Sequence, residues 1–440
     1  MNLIGYFIAS FLCLCSIARA EIFDAYEKYL DNGLRVIISE NHKAPIAKTM
    51  LFYKVGSMDE VNGKTGLAHL LEHLMFRGTT EVPNSKFNDY MHENGIEYNA
   101  FTSADFTAYH ALSDISRLEL VLALEADRMV NLNITDDAFE GEQKIVFEER
   151  QQRTDNSSKA LFAEEINQIL WQKTPYEHPV SGFATDIKAL TKNDALDFYK
   201  HFYAPDNAVL IIVGDIEPML GFELVEKYFG NIRKKSGHNQ IKQDAFASLE
   251  KGGAYVASKE LDDVQTKLVI LRYITPSILT DEKAAFALSV FSSYFGESEN
   301  SYLKRHLVEP QKVIDASSSH TMYGRGPGTF SIAVLPFKED GFNSEDQLKK
   351  ILTQALNDFD DHALEKEKKK MLSWFVYVKD NPEDAASLLG SMAALGLTLN
   401  DIEQYKANIE NVTLDDVKKA VLTMIEKSKH IIAVSEPKKE

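Results

Sequence analysis

The chain has 440 residues, 44% hydrophobic and 26% charged, which excludes a disordered or collagen-like protein and leaves room for roughly two to three domains. Its formal net charge of −18 makes a field that repels nucleic acid and anionic membrane and favours basic peptides, so no nucleic-acid partner is expected.

The first twenty residues stand apart. Leu3 to Ala18 is an apolar run without a charge, and Ala18-Arg19-Ala20 is a small-x-small pattern before Glu21. This reads as a secretory signal over residues 1–20, cleaved after Ala20. The alternative, a membrane anchor, is disfavoured because the run falls short of the ~20 residues a spanning helix needs. No later stretch reads as a membrane span. Both cysteines, Cys13 and Cys15, lie inside the signal, so the remainder can form no disulfide, thiolate metal site or cysteine nucleophile. Export without disulfides fits a periplasmic or secreted protein.

Along the rest of the chain, Lys28 to Glu40 reads as a hairpin. Asn32-Gly33 forms the turn, and Leu34, Val36 and Ile38 alternate behind it. Ile46 to Val55 is a second strand. Thr65 is placed to cap a helix that runs through Phe76 and stops at Gly78. Asn99 to Leu112 is strand-like, Ile115 to Met129 and Asp136 to Arg153 read as helices, and Val209 to Val213 is a strand ending in Gly214.

The second half repeats this order. Thr191-x-x-Asp194 is echoed by Thr413-x-x-Asp416, the strand Val209 to Gly214 by Ile431 to Ser435, and the strand near Leu51 by Leu268 to Arg272, at offsets between 217 and 222 residues. A shared offset at three places argues for a duplicated domain. The polar stretch 234–253 reads as the linker between a first domain, 21–233, and a second, 254–440. Without regular βαβ spacing, and with a hairpin at the start, the fold class is α+β: two homologous domains, each a mainly antiparallel sheet flanked by helices. The run Glu365-Lys366-Glu367-Lys368-Lys369-Lys370 reads as a solvated helix face, and Gly324-Arg325-Gly326-Pro327-Gly328 as a plain hairpin or loop rather than a phosphate loop.

The chemistry concentrates in His69-Leu70-Leu71-Glu72-His73. On a helix His69 and His73 are four apart and project from one face, where two neutral imidazoles can grip one Zn2+ ion. Glu72 falls beside that ion and can take a proton from water and pass it to a leaving amine. Zinc needs a third protein ligand, and the helix Asp136 to Arg153 offers Glu140, Glu142, Glu148 and Glu149. Glu142 and Glu149 are two helical turns apart and share a face, so one can ligate while the other supports a histidine. Nitrogen and oxygen ligands do not select zinc sharply, and another divalent ion stays possible.

These motifs resemble the insulinase–pitrilysin family of metallopeptidases and its short, processing-peptidase-like branch. The likeness runs through Asn32-Gly33-Leu34, Val55-Gly56-Ser57, Gly66 to Leu74, Phe76-Arg77-Gly78-Thr79, Asn99-Ala100-Phe101-Thr102-Ser103, Thr107-x-Tyr109, Glu142 to Glu149, Tyr203-x-Pro205-x-Asn207 and Val213-Gly214-Asp215. The resemblance implies that His69, His73 and Glu149 are the zinc ligands, Glu72 the general base and Glu142 the supporting carboxylate. It also implies that the strand at Asn99 and Ala100 pairs with an extended peptide substrate; read alone, Asn99 is an ordinary turn residue entering a strand.

The second domain resembles the family's metal-free repeat. Active members place an arginine and a tyrosine there to hold the substrate carbonyl. Here Val308 and Asp315 stand at those positions; Arg305 or His306 would substitute only in a different register. The departure implies a heterodimer in which a homologous partner subunit brings the missing pair, with a homodimer also possible. The two would enclose a chamber that favours short or unfolded peptides. Three functions are thus in play: a zinc endopeptidase, a non-catalytic structural or peptide-binding subunit of the same fold, and a zinc enzyme acting on a non-peptide substrate.

Overall fold

Runs of β-branched and aliphatic residues, bounded by Gly, Asn and Asp, fold into twelve strands among the described residues. In the first half these are β1 (Ala18–Ala20), β2 (Ala25–Tyr29), β3 (Arg35–Glu40), β4 (Ile46–Tyr53), β5 (Glu97–Thr102), β6 (Thr107–Asp114) and β7 (Ala208–Gly214). In the second they are β8 (Ala254–Leu261), β9 (Leu268–Thr275), β10 (Val313–Thr321), β11 (Gly328–Pro336) and β12 (His430–Pro437). The computed structural model describes residues 18–20, 23–83, 86–235, 237, 243–249, 252–337 and 344–438. The expected signal therefore lies outside the described residues, except Ala18–Ala20, which pair with β2.

The strands form a seven-stranded sheet, β1-β2-β3-β7-β4-β6-β5, and a five-stranded sheet, β10-β11-β9-β12-β8. Without β1 and β2 the two orders are the same. Each sheet has one parallel pair, β3 with β7 and β8 with β12, and is otherwise antiparallel. The repeat offset seen in the sequence is thus an internal repeat of topology, and the α+β architecture with two mainly antiparallel sheets holds.

Both faces of the first sheet are buried at its centre, which explains why β7 reads Ala-Val-Leu-Ile-Ile-Val-Gly without polar alternation. One face, with Val36, Ile38, Leu51, Leu210 and Ile212, packs against first-half helices. The opposite face, with Ile37, Met50, Phe52, Val209 and Ile211, is covered by the second half's helix Pro382–Ala394. Gly390 makes that approach possible, since a Cβ there would sit 2.0 Å from the Phe52 ring. In return, the first-half helix Ser158–Trp171 lies on β8 and β12, burying Phe162, Ile166 and Leu170 against Ile431 and Ala433. The halves are joined by this exchange of helices.

Several local expectations change. The stretch Asn99 to Leu112 is two strands, because Ser103 turns the chain: its amide and hydroxyl both donate to the Phe106 carbonyl. Within the stretch expected to be a linker, Gln243–Leu249 forms a short 3-10 helix that buries Phe246 and Leu249. The charged run at 365–370 is not all solvated. Glu367 and Lys368 are buried, Glu367 accepting from Ser293 Oγ at 2.7 Å and Lys368 donating to the Glu410 carbonyl at 2.9 Å. Among the described residues no helix is long and apolar enough to cross a membrane.

Candidate metal centre

The histidine helix spans Leu67–Leu74 and is held by its other face, where Leu67, Leu70, Leu71 and Leu74 are buried in the first-half core. Thr65 does not cap it. Gly66 is the N-cap in a left-handed conformation, and the free amides of Gly66 and Ala68 donate to the buried carboxylate of Glu60 at 2.9 and 2.8 Å. Thr65 instead bonds Asp186 and the Phe183 amide, tying the helix start to the first turn of the short helix Ala184–Ala189.

The acidic helix Asp136–Arg150 packs against the histidine helix and lays Glu142 and Glu149 toward it. Glu149 Oε2 lies 3.8 Å from His69 Nε2 and 3.5 Å from His73 Nε2. The three donor atoms fall within 4.8 Å of one another. A tetrahedral zinc site with bonds near 2.0–2.1 Å has ligand-to-ligand edges of about 3.4 Å, so the set needs only slight contraction to take the ion. Two imidazoles and one carboxylate also leave the fourth position open. The donor set therefore fits zinc.

The supporting contacts are unequal. His73 Nδ1 meets Glu142 Oε2 at 2.9 Å, and Arg77 bonds the other oxygen of Glu142. That fixes the His73 ring with Nε2 toward the centre. His69 Nδ1 is buried without a partner among the described residues. Arg153 meets the second oxygen of Glu149 at 2.7 Å. Arg150, beside Glu149, donates to Glu164 at 2.6 Å and to the Gly182 carbonyl at 2.8 Å, anchoring the end of the acidic helix.

The electrostatics follow from burial and these neighbours. Burial, then the adjacent His73, pulls the His69 imidazole down to about 4, so it is neutral at neutral pH. Burial acts the same way on His73, but the Glu142 bond and the carboxylates of Glu142, Glu72 and Glu149 outweigh it and raise its pKa. Burial would raise Glu142 too, but bonds from His73 and Arg77 hold it below the usual carboxylate range. Glu72 is raised by burial, partly offset by the Thr102 hydroxyl, which donates to its Oε2 at 2.5 Å.

These groups open on a cavity of about 830 Å³, lined among the described residues by the first half alone, including His69, Glu72, His73 and Glu149. Asn99 and Ala100 form part of its wall on β5, the last strand of the sheet, which among the described residues pairs only with β6. The Ala100 amide donates to the Asn99 side chain at 2.8 Å. The structure thus brings His69, Glu72, His73, Glu142 and Glu149 together and sets Asn99 and Ala100 on the same cavity. Glu140 is exposed and Glu148 lines the rim. In the second half, Asp315 is tied to Lys304 at 2.6 Å, and His306 stacks on Tyr302 with ring centroids 3.9 Å apart. Neither these nor Val308 and Arg305 reach the cavity wall.

The sequence reading gave no role to Thr102, Arg77, Arg153 or Glu60. Thr102 and Arg77 stood inside the quoted motifs. Arg153, four residues after Glu149, had the helical spacing of an ion pair. Glu60 carried no local signal, since it caps from outside the helix.

The sequence matches the family described as insulinase (peptidase family M16) over residues 35–183 and the peptidase M16 inactive domain over residues 189–371. It is similar to zinc protease PqqE of Helicobacter pylori, 33% identical over 67% of this chain and 66% of that one. It is also similar to the probable mitochondrial-processing peptidase subunit beta of Schizosaccharomyces pombe, 29% identical over 46% of this chain and 44% of that one. The chain thus spans about two thirds of the length of the first of these two relatives and under half of the second. The crystal structure of a protease from Helicobacter pylori superposes with a TM-score of 0.84 at 25% identity, covering 94% of this chain and 99% of that one. With a motif-bearing first half, a second half that matches the family's inactive domain and the same fold throughout, the chain belongs to the insulinase family of metallopeptidases, peptidase family M16.

Proposed function

We propose that this chain is the metal-bearing subunit of a zinc endopeptidase that cleaves peptides or unfolded segments in an exported, periplasmic or secreted, compartment. In this reading residues 1–20 are the signal, 21–233 the zinc-bearing domain, 234–253 the linker and 254–440 the metal-free repeat. The observation that carries it is the convergence of His69, His73 and Glu149 within 4.8 Å, with Glu72 opening on the same cavity.

His69, His73 and Glu149 would hold the ion, which would supply Lewis acidity toward water and the scissile carbonyl. Glu72, its pKa raised by burial and its Oε2 held by Thr102, is the proton carrier: it takes a proton from the attacking water and returns it to the leaving amine. Glu142 keeps His73 in the tautomer whose Nε2 faces the ion. An extended peptide adds to the open side of β5 beside Asn99 and Ala100, which positions its backbone without demanding one sequence. Binding there displaces the Asn99 side chain from the Ala100 amide.

Among the described residues the cavity wall carries no second-half cation or tyrosine for the substrate carbonyl. We therefore infer that a homologous partner subunit completes the active form, in keeping with the subunit named in the processing-peptidase relative. The test is a peptidase assay with and without the homologous partner, run beside a zinc measurement. The reading expects one zinc per chain and hydrolysis that depends on the partner. Glu72→Gln is expected to lose roughly 10²–10⁴-fold in kcat while keeping its zinc. Equal cleavage by Glu72→Gln would overturn the mechanism. A zinc-free chain that assembles normally and never cleaves would favour the non-catalytic subunit.

A further inference from the structure

The loop Gly324–Gly328 joins β10 to β11 in the metal-free half, but its arginine belongs to the other half. The Arg325 guanidinium donates to both oxygens of Asp59, at 3.0 and 2.5 Å, and its Nε lies 3.6 Å from Asp105. The Arg325 amide donates to Asp105 Oδ1 at 2.9 Å. Tyr176 donates its hydroxyl to the same Asp105 oxygen and accepts from the Gly326 amide, at 2.8 and 2.9 Å. The ion pair is enclosed: the side chains of Arg325 and Asp59 are 11% and 2% exposed. The flanking glycines allow the insertion, since a Cβ on Gly326 would meet the Phe246 ring at 2.3 Å.

What this cation grips leads to the metal centre. Asp59 ends the short helix Ser57–Asp59, and the Ser57 and Met58 amides donate to the carbonyls of Ser103 and Ala104. Asp105 sits in that same turn, which closes β5 on β6. One guanidinium therefore spans the two pieces that hold the hairpin end. The next residue back, Thr102, bonds Glu72, and Asn99 and Ala100 follow along the same strand. A buried ion pair is weak as a stabiliser because both partners lose hydration. A two-pronged arginine is good at fixing orientation.

We propose that Arg325 is a positioning residue through which the metal-free half sets the substrate-binding strand β5 against Glu72. The catalytic meaning rests on the peptidase reading above; the mechanical claim about β5 does not.

The test compares Arg325→Lys, which keeps the charge and loses the fork, with Arg325→Met combined with Asp59→Asn, which removes that pair together. Hydrogen–deuterium exchange is followed on the full zinc-loaded chain, and kcat and KM are measured with the partner present. Exchange across residues 97–102 is expected to quicken about tenfold in both variants, the equivalent of one lost charge-assisted hydrogen bond, with the helix 136–150 and the zinc content unchanged. KM is expected to rise by more than kcat falls. Unchanged exchange in β5, or exchange that rises evenly over the whole chain, overturns the proposal. If the double variant does not fold, the lysine variant decides. If wild type cleaves nothing even with its partner, the peptidase reading fails while the exchange data still decide the role of Arg325.

Discussion

Replacing Glu142 by glutamine probes how the centre is built. The carboxylate is buried, with one oxygen 2.9 Å from His73 Nδ1 and the other bonded to Arg77. Glutamine keeps the size and can still accept from His73, but the bond is no longer charge-assisted and is roughly half as strong. The amide N–H₂ also faces the Arg77 guanidinium, donor against donor. Outer partners of metal-binding histidines are worth about 10–100-fold in affinity, or ~1.4–2.7 kcal/mol. Zinc affinity of Glu142→Gln is therefore expected to fall by that factor when measured by competition with a chelating indicator at fixed pH. Glu140→Gln, on the same helix but exposed, serves as control and is expected to bind as wild type does. Equal affinity in Glu142→Gln, or equal weakening in both, would refute the reasoning.

Four further outcomes follow from particular contacts. Burial holds the His320 imidazole at about 3, against 6.5 when free, so the folded state stays neutral while the unfolded state takes up a proton. Its contribution to stability is complete above pH 6.5 and is lost as pH falls toward 3, reaching about 2 kcal/mol by pH 5. His320→Asn should flatten the drop in unfolding free energy between pH 7.5 and 5, measured by urea denaturation, by about that amount, and an unchanged drop would contradict it. Gly182 has φ +75, and a Cβ there would lie 2.5 Å from the Gly66 backbone at the start of the histidine helix. Gly182→Ala is expected to cost at least about 2 kcal/mol in chemical denaturation and to weaken zinc binding. Leu389, fully buried on the second-half helix that covers the first sheet, should cost about 2–5 kcal/mol when cut to alanine. Because the helices are exchanged, both halves should unfold in one transition followed by probes in each; two separate transitions would show the halves to be independent.

Much of the centre was legible because its parts lie on helices with fixed spacing. His69 and His73 had to share a face, as did Glu142 and Glu149, and the repeated strand offset pointed to the matching sheet orders. What was not legible depends on which element meets which. Periodicity shows that a residue is covered, not what covers it, so the burial of both Ile37 and Ile38 gave no hint that opposite halves supply the two covers. Glu60 caps a helix from outside it, and nothing local marks such a residue. Glu367 and Lys368 sat in a run of charges typical of solvated surface, and only the packing of neighbouring helices buries them. Arg325, in a glycine-rich loop, carried no sign of its partners because Asp59 and Asp105 come from the other half.

Zinc-edge anomalous diffraction from crystals grown with one equivalent of zinc bears on the central assignment most directly. A single peak about 2.0–2.2 Å from His69 Nε2, His73 Nε2 and Glu149 Oε2 is the expected result. A peak bound elsewhere, or none at this site with zinc in the solution, would contradict it.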